Sequence, residues 1–69
     1  MIIRMLRPVI LRPPMVTERC GLLLWENYQV DGMLARYLIR NGDAEEIKKL
    51  KNGEQLSEPM DYKGRKVNK

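Results

Sequence analysis

A chain of 69 residues with a single cysteine and no histidine cannot be stapled from within. Cys20 has no second thiol for an internal disulfide, and no histidine or further cysteine completes a zinc site of the usual kind. A core this small rarely supplies more than about 3–5 kcal/mol of net stability. The missing stabilisation is therefore expected from a partner or from self-association. One thiol also fits a reducing compartment. The length allows one domain.

Punctuation decides what the body can be. Residues 2–12, Ile-Ile-Arg-Met-Leu-Arg-Pro-Val-Ile-Leu-Arg, are rich in β-branched and long aliphatic side chains. With Pro8 inside them they predict an edge strand or two short extended pieces. Pro13-Pro14 predicts an extended stretch, because each ring fixes φ and biases the residue before it. Thr17-Glu18-Arg19-Cys20-Gly21 reads as a turn with Gly21 free to take positive φ. Leu22 to Tyr28 follows as a second strand, bounded by Gly21 and containing Trp25.

The clearest helix is announced by Asp31, whose carboxylate suits the open amides of a first turn. From Met33 to Asn41, Leu34 and Leu38 lie one turn apart, as do Ala35 and Ile39, making one apolar stripe. Arg36 and Arg40 take another face, and Tyr37 falls near the stripe as packing. Gly42 is placed to end the helix as a left-handed cap. Asp43-Ala44-Glu45-Glu46-Ile47 then returns as a short strand. The expected fold class is α+β: a small β-rich body over residues 1–47 with one short helix near 31–41, followed by an extended basic tail over 48–69. Asp31, Leu34, Leu38, Ile39, Gly42 and Trp25 are the residues expected to define the body.

Charge divides the chain at the same place. Residues 1–47 hold six arginines, no lysine and six acids, whereas residues 48–69 hold six lysines, Arg65 and three acids. The whole excess of +4 therefore sits in the last third. Such a segment is either a solvated tail or a docking arm for an acidic partner or nucleic acid. Lys51-Asn52-Gly53-Glu54 suits a tight turn. Beyond it, residues 55–69 are expected to order only against a partner. The candidate partner-binding residues are Lys48, Lys49, Lys51, Leu56, Met60, Tyr62, Arg65 and Lys66, with Tyr62 suited to fill a pocket on another protein.

The parts of an enzyme are missing. There is no imidazole base, no triad of the familiar kind, and no glycine-rich phosphate loop; Ser57, the only serine, lies in the polar tail. Asp43, Glu45 and Glu46 form an acidic cluster, but successive strand residues diverge to opposite faces, which favours a solvated edge over a functional pair. Cys20 has no base beside it, and an incidental or structural thiol is the expected role. Trp25, after three leucines, is expected in the core, with a protein interface as the second reading and a base-stacking platform as the least favoured. No catalytic residue, cofactor, metal or small-molecule substrate is expected. No stretch reaches the ~20 apolar residues of a membrane span, and the opening residues, broken by Arg4, Arg7 and Pro8, do not form a signal peptide.

From Leu6 to Ile47 the order of features resembles a group of small bacteriophage proteins encoded among head and head–tail assembly genes. The residues carrying the likeness are Leu6-Arg7-Pro8-Val9, Gly21 as a turn, and Ala35-Arg36-Tyr37-Leu38-Ile39-Arg40-Asn41-Gly42-Asp43-Ala44-Glu45. Pro13-Pro14 and the basic tail depart from the pattern. The resemblance implies a minor virion component, assembled in the host cytoplasm, that decorates or cements the capsid or sits near the portal. Its partner would be a larger protein assembly or neighbouring copies, and it brings no active site.

A different class competes with this expectation: a small DNA-binding regulator of winged-helix or excisionase type. It requires a first helix over residues 17–28, a recognition helix over 33–41, and a basic wing over 48–56 with Arg36, Arg40, Lys48, Lys49 and Lys51 on the DNA. The neutral first 47 residues and the acids after the helix speak against it. A small inhibitor of a host enzyme is a third reading.

Overall fold

The computed structural model describes residues 1–61 and Arg65. It is α+β, with five short strands and one helix in the order β1 (Ile2–Met5), β2 (Val9–Leu11), β3 (Cys20–Leu22), β4 (Asn27–Gln29), α1 (Gly32–Arg40) and β5 (Ala44–Ile47). The stretch 2–12 does split into two extended pieces, because Leu6-Arg7-Pro8 carries the chain from β1 to β2 without a ladder and Pro8 has no amide to give one.

β1 is the middle of a three-stranded antiparallel sheet, β4-β1-β5. Ile3 pairs with Tyr28 on one side and Glu46 on the other; Met5 pairs with Ala44. Alternation along β1 sends Ile3 and Met5 into the core. β2 and β3 make a separate two-stranded antiparallel sheet, with Leu11 opposite Cys20 and Val9 opposite Leu22. Tyr28, Ile3, Met5, Leu22 and Leu38 are fully buried, and Leu11, Cys20, Ala35 and Ala44 complete the core between them. The Cys20 thiol thus packs as a small apolar group.

α1 forms where the sequence places it. The Asp31 carboxylate accepts from the Leu34 amide at 2.9 Å, and Ala35 and Leu38 face the core with Leu34 and Ile39 partly buried beside them. At the other end Gly42 adopts φ 78°. Its amide donates to the Ile39 carbonyl (3.0 Å) while the Asp43 amide donates to Leu38 (2.9 Å), the paired bonds of a Schellman cap. Arg7 completes this end: its guanidinium donates to the Asn41 carbonyl at 3.3 Å and pairs with Asp43 at 2.7 Å. Leu6-Arg7-Pro8 and Asn41-Gly42-Asp43, far apart in sequence, are therefore one structural unit.

Five expectations are corrected. Arg12 to Met15 form a turn, closed by the Met15 amide on the Arg12 carbonyl at 3.1 Å, with a cis Pro13–Pro14 bond; fixed φ angles do not by themselves straighten a proline pair. Gly21 lies within β3 and is not among the positive-φ glycines, because both its neighbours are drawn into pairing with β2. The strand expected over 22–28 is two strands, β3 ending at Leu22 and β4 starting at Asn27. Between them Trp25 takes φ 65°, which no strand residue can hold. Trp25 is consequently 61% exposed rather than core, and Tyr37 is also exposed, being rotated off the buried stripe.

Residues 48–60 have no regular element, yet they lie on the body. Asn52-Gly53 make the expected turn, with Gly53 at φ 89° and the Glu54 amide donating to Lys51 at 3.0 Å. Farther on, the Ser57 amide donates to the Asn27 carbonyl at 2.7 Å along the outer edge of β4. Met60 exchanges both main-chain hydrogen bonds with Gly21 along the outer edge of β3. Residues 55–60, expected to order only against a partner, thus tie the two sheets together.

Candidate protein-binding surface

The β3–β4 connection, Leu23 to Glu26, presents three consecutive exposed apolar side chains. Leu23 and Leu24 are each 43% exposed, beside Trp25. Its backbone is nevertheless fixed at three points. The Leu23 amide donates to the buried Tyr28 hydroxyl at 2.7 Å. The Trp25 amide donates to Met5 at 2.9 Å, and the Glu26 amide reaches back to Leu23 at 3.3 Å. Desolvation pushes the Tyr28 phenol above its ordinary pKa, against the opposing effect of the Leu23 amide, so it stays a neutral acceptor at any physiological pH. A large residue held in left-handed geometry costs on the order of 1–2 kcal/mol. Such strain in a well-anchored turn is what functional contacts often exploit.

Beside this turn runs the segment that binds β4. Leu56, 46% exposed, lines a shallow depression with Leu23, Glu26, Ser57 and Met60. A polar cluster ties the preceding residues 54–55 to β1 and β4. Asn27, buried, accepts from Arg4 Nε at 3.2 Å and donates to the Gln55 carbonyl at 3.5 Å. Arg4 also forms ion pairs with Glu54 and, at 3.8 Å, with Glu45. The Lys51 amide donates to Glu54 at 2.8 Å, and that bond, with the Arg4 cation, holds the Glu54 carboxyl below its usual pKa. Among the described residues no buried side-chain polar atom is left without a partner.

The candidate binding residues separate into three groups. Lys48, Lys49 and Lys51 are exposed, following β5 away from the apolar turn. Leu56 and Met60 lie together beside Leu23, although Met60 is half-buried by its pairing with Gly21. Arg65 is solvent-exposed and pairs with Asp61 at 3.0 Å, while Tyr62 and Lys66 lie outside the described residues. Residues 17–28, which the winged-helix arrangement needs as a helix, hold β3 and the start of β4. Glu45 and Glu46 are exposed, and among the described residues no group of three acidic or thiol side chains converges as a metal site. A second, open groove runs between the 15–18 loop and the start of α1, floored by Leu11, Leu22 and Leu34.

Sequence reasoning missed Leu23 and Leu24 as surface residues, and reversed Trp25. The available signal was the unbroken Leu-Leu-Leu-Trp run itself, since a half-buried strand of this sheet would have alternated. No protein-family model matches the chain, and no curated protein or solved structure shows significant similarity to it.

Proposed function

We propose that this chain is a non-enzymatic assembly module, a minor bacteriophage virion component that seats its apolar turn on a larger protein surface such as capsid or portal. The observation that carries the reading is the Leu23-Leu24-Trp25 turn: three large apolar side chains exposed in sequence on a backbone anchored at both ends. A pre-ordered tryptophan on a rigid turn is the kind of residue that dominates binding energy at protein interfaces, because little entropy remains to be lost on docking. Leu56 beside it enlarges the patch. The resemblance of residues 6–47 to phage head and head–tail accessory proteins supplies the biological setting.

Trp25 is the only tryptophan, so its emission reports docking directly. Phage particles purified with the chain bound should release it on Trp25→Ala or Leu24→Asp while the free variants keep the parent circular dichroism. A chain that co-sediments equally well with both substitutions would refute the reading. Fluorescence anisotropy against duplex DNA, at low and moderate salt, separates the regulator: tight, steeply salt-dependent binding unaffected by Trp25→Ala would replace assembly with nucleic-acid recognition.

A further inference from the structure

The two outer edges of the three-stranded sheet are treated differently. The β4 edge is occupied at Asn27 by Ser57. No described residue pairs with the outer edge of β5, which is followed by exposed Lys48 and Lys49. We propose that this edge is a homodimer interface, in which β5 pairs antiparallel with β5 of a second copy about a twofold axis at Ile47. The proposal goes beyond docking on a larger particle and does not rest on it.

The register follows from the main chain. The Leu6 amide donates to the Asp43 carbonyl at 2.8 Å, and hydrogen-bonded pairs alternate along an antiparallel ladder, so Arg4–Glu45 and Ile2–Ile47 are the pairs bonded across β1–β5. The main-chain groups of Ala44 and Glu46 therefore face the open edge, and those of Lys48 would join them once the strand is extended past Ile47. Two copies can satisfy these groups only by pairing even-numbered residues with even-numbered ones.

Among the registers that obey this rule, side-chain charge selects one. Residues 45–49 read Glu-Glu-Ile-Lys-Lys, a pattern that is its own complement when reversed. With Ile47 opposite Ile47 of the second copy, Glu46 meets Lys48 on one face of the sheet and Glu45 meets Lys49 on the other. A shift of the seam in one direction sets Glu46 against Glu46, and in the other Lys48 against Lys48, both unfavourable. Charged edge strands ordinarily discourage pairing with strangers; this order of charges favours a strand of the complementary order, which a second copy supplies. Lys48 and Lys49 bend away in the single chain, so dimerisation straightens two residues per copy and joins the sheets into one of six strands.

The test is sedimentation velocity across a concentration series at low salt. Wild-type chain is expected to dimerise. Glu45→Lys/Glu46→Lys and Lys48→Glu/Lys49→Glu should each raise the dissociation constant by about tenfold or more, since every cross-strand pair becomes repulsive. Their equimolar mixture should regain the dimer, because each then complements the other. Lys48→Pro removes an outward amide without touching the β1–β5 ladder, and should give a monomer with unchanged circular dichroism. Ile47→Cys should cross-link on mild oxidation, since the two α-carbons of a non-hydrogen-bonded pair lie only ~4.5 Å apart. A wild-type monomer at every concentration, a dimer indifferent to the reversals and to Lys48→Pro, or a mixture that stays monomeric would each overturn the proposal.

Discussion

Replacing Trp25 by glycine should leave a more stable protein than replacing it by alanine, the reverse of the usual order. Both substitutions delete the same indole and lose the same contacts, so their difference isolates the backbone. At an ordinary site alanine is favoured over glycine by roughly 0.5–1 kcal/mol, the extra entropy that glycine loses on folding. At φ 65° any side chain with a β-carbon instead carries about 1–2 kcal/mol of steric cost, which glycine escapes. The net spans about 0–1.5 kcal/mol in favour of glycine; its midpoint of about 0.75 kcal/mol is a melting temperature higher by roughly 3–6 °C for a domain of this size. Leu24, whose φ is not positive, provides the control, and there alanine should exceed glycine. Thermal unfolding followed by far-ultraviolet circular dichroism reads all four variants. If Trp25→Ala melts at or above Trp25→Gly, the turn is not held in left-handed geometry, and the case for a pre-strained anchor fails with it.

Other perturbations probe the frame around the turn. Asp31→Ala removes the acceptor for the Leu34 amide and should cost about 1 kcal/mol by urea titration, with Asp31→Ser recovering most of it. Asn27→Leu abolishes the buried bridge between Arg4 and Gln55 and should destabilise by roughly 1–3 kcal/mol, as expected when buried groups lose their partners. Glu54 has a depressed folded-state pKa, so its stabilisation is complete above the ordinary carboxylate pKa and disappears as pH falls through the lower folded value. Melting temperatures of wild type and Glu54→Gln should therefore differ at neutral pH and converge on acidification; a gap that widens in acid would contradict the sign.

The helix was legible because its determinants are local. Asp31, the 34-35-38-39 stripe and Gly42 lie within twelve residues, and each acts through neighbours along the chain. The return strand after it followed from the same cap. Residues 22–28 were not legible, because four apolar residues in a row give no period and the break at Trp25 is anchored on a carbonyl of β1, twenty positions earlier. Residues 55–60 concealed their role for another reason. They attach through main-chain hydrogen bonds to Asn27 and Gly21, and backbone pairing leaves almost no trace in side-chain pattern. Of the candidate binding residues, Leu56 could be recognised as an apolar side chain in a polar segment, whereas its place beside Leu23 depended on a fold in which those two segments meet.

The tie across β3 and β4 also sets an order of events during synthesis. β1 through β5 all precede residues 55–60 along the chain, so the sheets gain their last edge contacts only when the final third of the chain is in place. Until then the edges of β3 and β4 stand open next to Leu-Leu-Leu-Trp, the segment of the chain most prone to sticking. Residues 55–60 therefore act as a guard that arrives late. A nick between Ile47 and Gln55 that releases them would expose the main-chain edges they cover at Asn27 and Gly21, and such a cut is expected to favour edge-to-edge association.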